Sequence, residues 1–478
     1  MSGLRPLSAV VLAAGEGTRM RSATPKVLHP LCGRPMLLHV VDALGALPLE
    51  RIVVVVGHGA ERVTKTLQEQ VTTDVPVVFV DQKVQRGTGD AASVALTAFS
   101  DDDLEDDVII MPGDAPLVRP ELLTRLATAH READAAVSLV TAALEPWTWS
   151  FGRIVRDSQG RVDRIVERTD ATAEELELPE VNTSIYCFRR NLLAPALRRL
   201  SPENAQGEYY LTDAVAVLRT AGHQVVAVAA DDPAASRHVN DRAQLAVAES
   251  MLRARINERW MVDGVTIVDP AATYIDTQVQ LAADVRVLPG TMLEGHTTIS
   301  AGAVIGPDTR LVDTAVGERA VVQNTVARDA VIGDDATVGP YVSLRAGTHV
   351  GAGAHVGTFV ETKNAEIGEG AKVPHLSYMG DVEIGPRANV GAGTITANYD
   401  GKNKHASSIG PDARIGSNTV LVAPVRVGDG ACTGAGSVVT HDVAPGALVK
   451  GVPAQVDESW AERRGETDSE RASAEDTD

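Results

Sequence analysis

The most restrictive feature of the sequence is a six-residue repeat that begins near residue 264 and fills most of the C-terminal half. One aliphatic side chain per hexad can point into a narrow core, while the glycine or other small residue that follows permits a turn. Three hexads would close one triangular coil, so the repeat predicts a solenoid of stacked coils. The alternative is that these aliphatic-glycine pairs occur by chance in a glycine-rich loop region. It is disfavoured, because glycine is not also scattered over the other positions of the repeat. The aliphatic-glycine pairs are Ile305-Gly306, Val316-Gly317, Ile332-Gly333, Val338-Gly339, Val350-Gly351, Val356-Gly357, Ile367-Gly368, Ile384-Gly385, Val390-Gly391, Ile409-Gly410, Ile415-Gly416 and Val427-Gly428.

The first half of the chain follows another pattern, in which short Val- and Ile-rich runs alternate with amphipathic stretches. Such alternation is typical of a mostly parallel α/β sheet. Phe151–Arg156 and Val162–Val166 instead flank a turn tetrapeptide, which predicts a β-hairpin and hence a mixed sheet. The other predicted strands are Ser8–Ala13, Ile52–Val56, Val77–Val80, Val108–Met111, Ala136–Val140 and Val181–Phe188, and the predicted helices are Met36–Leu47 and Asp90–Phe99.

Between the two patterns lies a helical stretch, Asp241–Met261, whose apolar residues fall on one face. We therefore expect an α/β domain over residues 1–240, a helical linker over 241–263 and a solenoid over 264–456. Residues 457–478, which include Trp460, are acidic and rich in Ser and Glu, which predicts a disordered tail. The repeat is interrupted at Ile395–Ser408, which we expect to leave the coil as a loop.

Composition limits the partners and the compartment. Lys plus Arg number 44 against 64 Asp plus Glu, and the net charge of −20 argues against nucleic-acid or anionic-membrane binding. No apolar run approaches transmembrane length. Cys32, Cys187 and Cys432 are far apart in sequence, which excludes a disulfide framework and offers no metal-ligand cluster. A cytoplasmic protein fits these features best.

A glycine-containing segment, residues 12–20, follows the first predicted strand. Gly15 and Gly17 let backbone N–H groups approach a phosphate, and Arg19 and Lys26 add positive charge. A dinucleotide-binding turn begins similarly, but it would carry a third glycine near position 20 and an acidic residue after the second strand. The sequence has neither, and a phosphate-binding loop of another kind is indicated.

Asp114 directly follows the predicted strand Val108–Met111, at the sheet edge where α/β proteins bind ligands. Alone it would be an ordinary turn aspartate, but with the segments around it Asp114 is a candidate Mg²⁺ ligand. These segments resemble, in order and spacing, the sugar-nucleotide pyrophosphorylase family. They are Leu12–Met20, Pro25-Lys26, Gln82 with Gly87-Thr88, Gly113-Asp114, Gly152, Glu167, Val181-Asn182-Thr183 and His238-Val239-Asn240.

This resemblance implies a Rossmann-like nucleotidyltransferase domain, in which a sugar 1-phosphate attacks the α-phosphorus of a nucleoside triphosphate and pyrophosphate leaves. It also implies a role for each matching residue. The base would be bound by Leu12, Ala13, Ala14, Gly15, Gln82, Gly87 and Thr88, the phosphates by Arg19 and Lys26, Mg²⁺ by Asp114 (next to Gly113) and Asn240, and the sugar by Gly152, Glu167 and Asn182. Such chemistry needs charge neutralisation and alignment rather than a covalent nucleophile.

Polar residues interrupt the repeat around His375. Arg345 and Lys363 are 18 residues apart, one coil, so we expect them to stack on one face and form an anion site, which Tyr378 would complete. His375 is either an exposed loop histidine or a general base for acetyl transfer from a thioester to an amine, since only the neutral amine attacks. No Ser or Cys nucleophile with an adjacent base is evident, which favours direct attack.

Five further runs, Phe359–Lys363, His375–Tyr378, Asn389–Thr394, Ala397–Gly401 and Leu421–Val425, extend the resemblance over residues 5–455. Both halves together are similar to the family of bifunctional N-acetylglucosamine-1-phosphate uridyltransferases and glucosamine-1-phosphate acetyltransferases. The resemblance implies a left-handed parallel β-helix of hexapeptide repeats and a homotrimer with acetyl-CoA bound between neighbouring subunits. UTP and N-acetylglucosamine 1-phosphate would yield UDP-N-acetylglucosamine, a precursor of cell-wall peptidoglycan.

The same resemblance implies residue roles in the second half. His375 would accept the proton of the amine. Glucosamine 1-phosphate would be bound by Arg345, Lys363, Tyr378 and Asn389, and acetyl-CoA by Ala392, Asn398, Tyr399, Ser417 and Ala435.

Two other functions are weighed against this one. A monofunctional pyrophosphorylase of the ADP-glucose or GDP-mannose type would use the β-helix only for oligomerisation or regulation, but His375 with Arg345 and Lys363 argues against it. A non-enzymatic trimeric scaffold explains the hexads but leaves the loop around Asn398–Lys404 without a role. Consumption of acetyl-CoA with an amino-sugar phosphate would separate these functions.

Overall fold

The computed structural model describes residues 5–100, 105–143, 151–457 and 459. The chain divides into two compact units, Met1–Leu252 and Arg253–Asp478. Apart from Asp457 and Ser459, the acidic tail with Trp460 lies outside the described residues. Cys32, Cys187 and Cys432, all in the described part, are buried and form no disulfide. Across the described ranges, no helix is long and apolar enough to cross a membrane.

The first unit is built on a mixed β-sheet. The strands of the unit are β1 Leu7–Leu12, β2 Pro30–Leu31, β3 Arg34–Pro35, β4 Ile52–Val56, β5 Val77–Asp81, β6 Asp107–Pro112, β7 Val137–Ala143, β8 Arg153–Arg156, β9 Val162–Val166, β10 Glu180–Arg189 and β11 Val225–Ala229. The order of the sheet is β11-β7-β10-β6-β1-β4-β5, the hairpin β8–β9 is attached through β10, and β2 and β3 form a separate pair. The strand pairs of the sheet are parallel except those that β10 makes and the hairpin itself. The mixed sheet and its hairpin confirm the predicted fold of this half.

Helices cover both faces of this sheet. The helices of the described chain are α1 Met36–Gly45, α2 Ala60–Gln70, α3 Thr88–Ala95, α4 Pro120–Glu132, α5 Ala173–Leu176, α6 Arg190–Leu197, α7 Asp213–Thr220 and α8 Arg242–Val262. The 3-10 turns are Thr18–Met20, Lys26–Leu28, Leu96–Ala98 and Pro233–Ser236, with Pro270–Ala272 in the second unit. Along β4, Val54 and Val56 enter one apolar core while Val53 and Val55 enter the other. A strand covered on both faces reads as a continuous run of Val and Ile, which is why β4 was predictable.

Five helices, α2, α4, α5, α6 and α7, and strands β2, β3 and β11 were absent from the sequence prediction. Predicted helix Asp90–Phe99 is shifted: α3 begins at Thr88 and ends at Ala95, and a 3-10 turn follows. The early start has a local cause, because Gly87 stands at the N-cap with a φ of 107° that L-residues rarely adopt. Helix α8 confirms the predicted stripe, since Ala248, Ile256 and Trp260 are buried. The division between the compact units falls inside α8, after Leu252.

The second unit is a parallel β-helix, as the hexads predict. One inward position illustrates its core: Leu311, Ala327, Leu344, Thr362 and Met379 stack in successive coils and are all buried. The Thr362 hydroxyl in this stack is paired with that of Thr348 at 3.0 Å, so a buried polar group is satisfied.

The strands of this unit form a 12-stranded and a 17-stranded sheet, parallel except for the last pair. The first sheet contains Thr266–Ile267, Arg286–Val287, Val304–Ile305, Val321–Val322, Thr337–Val338, His355–Thr358, Lys372–His375, Asn389–Val390, Arg414–Ile415, Cys432–Thr433, Leu448–Gly451 and Ala454–Asp457. The second contains Tyr274–Ile275, Gln280–Leu281, Met292–Glu294, Thr298–Ile299, Arg310–Val312, Ala315–Val316, Thr325–Arg328, Ala330–Ile332, Val342–Leu344, Thr348–Val350, Glu361–Ile367, Tyr378–Ile384, Ile395–Ala397, Ser407–Ile409, Val420–Val422, Arg426–Val427 and Val438–Val439.

The interruption of the repeat is shorter than the sequence suggested. Ile395–Ala397 stays in the coil, where Ile395 pairs with Tyr378 and with Val420, and the coil resumes at Ser407. Thr396 explains the difference: it takes an inward position and donates its hydroxyl to the Gly380 carbonyl at 3.0 Å, so a polar residue serves where an aliphatic one was expected. The segment that leaves the coil, here called the insertion loop, is residues 398–406.

Candidate active sites

A cavity of about 950 Å³ opens in the first unit at the carboxyl ends of β1 and β6. Most of the residues that the sequence placed in a nucleotide site line it. They are Leu12, Ala13, Ala14, Gly15, Arg19, Lys26, Gln82, Gly87, Thr88, Asp114, Gly152, Glu167 and Asn240. Gly113 and Asn182 were predicted with them but are not among the lining residues. Parallel strands that end at one edge bring these distant segments together.

Acidic, amide and cationic groups meet at one end of this cavity. The Lys26 ammonium forms an ion pair with Asp114 and donates to Asn240 Oδ1 at 2.8 Å, and Arg19 donates to the same oxygen at 2.9 Å. Burial raises the pKa of Asp114, but Lys26 and then His238 lower it, and the net pKa lies below the ordinary value. The second carboxylate oxygen, Asp114 Oδ1, is buried and has no hydrogen-bond partner in the described structure.

His238 interacts with Asp114, although the sequence analysis assigned no role to this histidine. Its Nε2 is 2.9 Å from the carbonyl oxygen of Thr183, which can only accept, so Nε2 carries the proton. The ring meets Phe151 edge-on at 4.9 Å. Burial lowers the pKa of His238, whereas Asp114 raises it, and the net pKa is below 6.5. The buried imidazole therefore tends to the neutral form.

Glu167 lines the cavity, whereas Asn182 does not. Glu167 accepts a hydrogen bond from the Thr212 hydroxyl at 3.0 Å, and burial raises its pKa above the ordinary value. Asn182 is only 1% exposed and donates to the Tyr186 hydroxyl at 2.7 Å. Since Tyr186 lines the cavity, Asn182 supports its wall from behind. Thr212 and Tyr186 had no signal in the sequence, because their place depends on tertiary contacts alone.

Gly87 must be glycine at the cavity for two reasons. Its φ of 107° is strained for other residues, and a Cβ atom there would lie 2.6 Å from the Tyr209 carbonyl oxygen. Tyr209 and Gly89 are also joined by a backbone hydrogen bond of 2.8 Å. The start of α3 is thus held against the segment that contains Tyr209.

In the second unit, positive side chains gather on one face of the β-helix. The register places Arg345 beside Lys363, which confirms the predicted stacking, and Arg345 also pairs with Glu361 at 3.0 Å. Contact with Lys404 of the insertion loop lowers the pKa of Lys363, and Arg345 adds to this effect, whereas Asp381 opposes it. Lys404 was not singled out in the sequence analysis, since only the path of the loop brings it beside Lys363.

Gly380 makes room for two predicted residues next to Lys363, with which it pairs in register. A Cβ atom at Gly380 would overlap the Tyr378 hydroxyl and lie 2.7 Å from Asn398 Nδ2. The Asn398 amide also donates to Asp381 at 2.5 Å. Lys363, Tyr378 and Asn398 are therefore neighbours.

Hydrogen bonds within the insertion loop fix its path. Asp400 accepts from the backbone N–H groups of Lys402 at 2.8 Å and Asn403 at 2.7 Å. Its other oxygen contacts His405 Nε2 at 2.7 Å, and these bonds lower the pKa of Asp400 to about 2. The Tyr399 hydroxyl donates to the Gly401 carbonyl at 2.7 Å, while its ring is 61% exposed. The loop is an ordered turn that presents Tyr399 and Lys404.

The remaining predicted residues follow one edge of the β-helix. His375 is exposed at the end of its strand, and its carbonyl accepts from Gly393 N at 3.3 Å. Asn389 pairs with Lys372 on the neighbouring coil. Ala392, Ser417 and Ala435 occupy matching places in three successive coils, because Asn418 N donates to the Ala392 carbonyl and Gly436 N to that of Ser417. Three small residues leave an open strip there.

Comparison with known proteins follows the same division of the chain. Residues 9–217 match the MobA-like NTP transferase domain, and residues 329–364 and 406–441 match the bacterial transferase hexapeptide (six repeats). Fold and matches together define a nucleotidyltransferase joined to a hexapeptide-repeat transferase.

Individual relatives extend this similarity over the whole chain. The bifunctional protein GlmU of Thermobifida fusca is 50% identical over 97% of this chain and 96% of its own length. The proteins of that name from Streptomyces coelicolor and Brevibacillus brevis are 48% and 46% identical, over 97% and 92% of this chain and 96% and 94% of their own. The chain belongs to the GlmU family of bifunctional transferases.

Proposed function

We propose that this chain makes UDP-N-acetylglucosamine in two steps: acetyl-CoA acetylates glucosamine 1-phosphate in the second unit, and N-acetylglucosamine 1-phosphate then takes UMP from UTP in the first, with release of pyrophosphate. The observation that carries this proposal is the presence, in one chain, of the cavity around Asp114 and of the cationic cluster Arg345, Lys363 and Lys404. Family membership favours two activities over a monofunctional pyrophosphorylase or a scaffold.

Uridyl transfer joins a phosphate oxygen of the sugar to the α-phosphorus of UTP and breaks the bond to the pyrophosphate oxygen. Arg19 and Lys26 bind and align the phosphates and offset the developing charge. The donor set fits Mg²⁺, which takes oxygen ligands and usually only one or two carboxylates beside substrate phosphates. Asp114, with its unpartnered buried oxygen, and Asn240 would hold this ion, whose bound charge would neutralise the reacting phosphates. Glu167 accepts hydrogen bonds from sugar hydroxyls, and Gly152 leaves room for the ring.

Acetyl transfer joins the sugar nitrogen to the thioester carbonyl carbon, and the bond to the sulfur of CoA breaks. Arg345, Lys363 and Lys404 bind the sugar phosphate, with Tyr378 and Asn389 beside them. His375 accepts the proton of the ammonium group, because only the neutral amine attacks. CoA leaves as the thiol once a proton is returned to sulfur. Ala392, Ser417 and Ala435, with Asn398 and Tyr399, line the cofactor's path.

A homotrimer with acetyl-CoA bound between subunits is part of the proposal. It is supported by the exposure of His375 in a single chain and by an apolar corner where Tyr341 and Phe359 stack at 5.5 Å while about 60% exposed. Exposed apolar groups of this size favour a covered face. The domain limits at 1–240, 241–263 and 264–456 and a cytoplasmic location complete the proposal, as does a role in peptidoglycan synthesis.

A paired assay of the purified chain tests the function. Glucosamine 1-phosphate with acetyl-CoA is followed by free thiol, and N-acetylglucosamine 1-phosphate with UTP and Mg²⁺ by pyrophosphate. Both signals are expected. Pyrophosphate without thiol would reduce the β-helix to a scaffold, and thiol without pyrophosphate would refute the role of the first unit.

A further inference from the structure

Gln82 is buried at one wall of the nucleotide cavity, directly after β5, and is only 3% exposed. Its amide nitrogen Nε2 lies 2.8 Å from Asp90 Oδ2 and 3.3 Å from the Gly87 carbonyl oxygen. Asp90 stands in the first turn of α3 and does not itself line the cavity. The Asp90 side chain therefore acts on a bound nucleotide only indirectly, and Gln82 is the cavity residue to which it is hydrogen-bonded.

Both partners of this nitrogen fix the orientation of the amide. A carboxylate and a carbonyl can only accept hydrogen bonds, so the NH₂ group of Gln82 must face them. This holds however the oxygen and nitrogen of an amide are assigned, because the opposite orientation would set an oxygen against two acceptors. The remaining group, Gln82 Oε1, is thereby kept as an acceptor for a ligand in the cavity.

The frame around this pair is rigid. Asp90 favours the positive N-terminal end of α3, and the Gly87 carbonyl also accepts the first bond of that helix, from Ala91 N at 3.1 Å. Gly87 is fixed in turn against Tyr209, as described above. The Gln82 amide therefore cannot turn without losing hydrogen bonds that no other described group replaces.

We propose that Asp90 is a positioning residue that sets nucleobase selectivity, by holding Gln82 so that Oε1 accepts the N3–H of a uracil ring. Uracil carries one donor on its pairing edge, N3–H, whereas cytosine has an acceptor at the same position. Two acceptors brought together in a buried site are strongly unfavourable. The proposal rests on the proposed uridyl transfer and adds the reason why UTP is taken and CTP refused.

A competition assay tests this role. The full chain is incubated with N-acetylglucosamine 1-phosphate, Mg²⁺ and equal concentrations of UTP and CTP. Mass spectrometry then gives the ratio of the two nucleotide sugars formed. This ratio equals the ratio of the two kcat/KM values and does not depend on how much of a variant is folded. In Asp90→Asn the new amide NH₂ can donate to Gln82 Oε1, which allows the Gln82 amide to rotate and exchange its oxygen and nitrogen. The preference for UTP over CTP is therefore expected to fall about tenfold or more.

Two further variants make the test specific. Asp81→Asn removes an exposed carboxylate one residue before Gln82 and is expected to keep the wild-type ratio. Adding Gln82→Glu to Asp90→Asn supplies a side chain that has only acceptors when ionised, and it is expected to restore the preference.

The outcomes separate the two proposals. Lack of uridine transfer by the wild-type chain would refute the proposed function. If the wild type prefers UTP and Asp90→Asn leaves the ratio unchanged, or the double variant does not recover it, Asp90 has only a structural role and this inference is wrong.

Discussion

The Lys26 ammonium is ion-paired with the Asp114 carboxylate inside the cavity of the first unit, where both side chains are less than 15% exposed. The same ammonium donates to Asn240 Oδ1. Lys26 thus bridges the two side chains proposed to hold Mg²⁺. A metal ion held by both Asp114 and Asn240 Oδ1 would compete with the ammonium for Asn240 Oδ1 and would repel it, and the phosphates of the nucleotide are the anions that would receive the displaced ammonium.

Replacing Lys26 by Met is therefore expected to tighten metal binding when nucleotide is absent. Asp114 would lose its ion-pair partner, and of the two cations that contact Asn240 Oδ1 only Arg19 would remain to compete with a divalent ion. Titration with Mn²⁺, followed by electron paramagnetic resonance of the free ion, measures the affinity, and an increase of about tenfold is expected. Lys26→Arg keeps the charge and serves as the control. Unchanged or weaker Mn²⁺ binding in Lys26→Met would contradict the competition.

The two activities are expected to fail separately. His375→Ala should abolish acetyl transfer and leave uridyl transfer intact, whereas Asp114→Ala should do the reverse, because the residues lie in different compact units. Both assays on each purified variant, together with its thermal unfolding, check this expectation. Loss of both activities in a variant that remains folded would refute the assignment of one reaction to each unit.

Lys404 should matter for the amino-sugar substrate, since the insertion loop places it beside Lys363. Lys404→Met removes one of the three cations proposed to bind the phosphate, and KM for glucosamine 1-phosphate in acetyl transfer should rise about tenfold. Lys402→Met is the matched control, because Lys402 is an exposed lysine of the same loop. An equal rise of KM in both variants would point to general loss of positive charge.

Ionisation of Glu167 is expected to decrease the free energy of unfolding as the pH rises. Its folded-state pKa is raised, first by burial, above the unfolded value near 4.5, so the folded state holds the proton more tightly. Stability is then highest below the unfolded pKa and decreases as pH rises through the folded one. Glu167→Gln lacks this titration.

The free energy of unfolding of Glu167→Gln, relative to wild type, is thus expected to grow between about pH 4 and about pH 8. Urea unfolding at both values measures it, and Glu203→Gln, at an exposed position, is the comparison. A difference that stays constant or shrinks with pH would show that the pKa of Glu167 is not raised in the folded state. Uridyl transfer by Glu167→Gln should fall, because the sugar loses an acceptor.

The elements that were predictable are those whose burial is uniform along the chain. In β4 every residue is buried, and in the β-helix the same positions are buried from hexad to hexad, as Ala336 and Val338 are in one coil and Ala354 and Val356 in the next. Helix α2 was missed because, of its eleven residues, only Val63 and Leu67 are buried, and two apolar residues leave no clear stripe. Ile395–Ala397 was misplaced for a related reason: Thr396 fills an inward position without being aliphatic.

For the site, the segments that line the cavity could be identified from their order and types in the sequence. Their pairing could not be predicted, because a contact such as Gln82 with Asp90 or Lys363 with Lys404 depends on side-chain direction and loop path. His238 illustrates a second limit of what the sequence can predict. Its segment was singled out, but the proton on Nε2 follows only from the Thr183 carbonyl that the fold brings within 2.9 Å.

The insertion loop leaves the β-helix after Ala397 and returns at Ser407, which pairs with Val382 as if nothing had intervened. Each coil takes its alignment from the coil beneath it and not from the length of chain between them. A segment that leaves the β-helix can therefore be replaced while the neighbouring coils keep their register. Functional residues can thus be added to such a protein in a loop at a corner of a coil, and its buried core does not have to change.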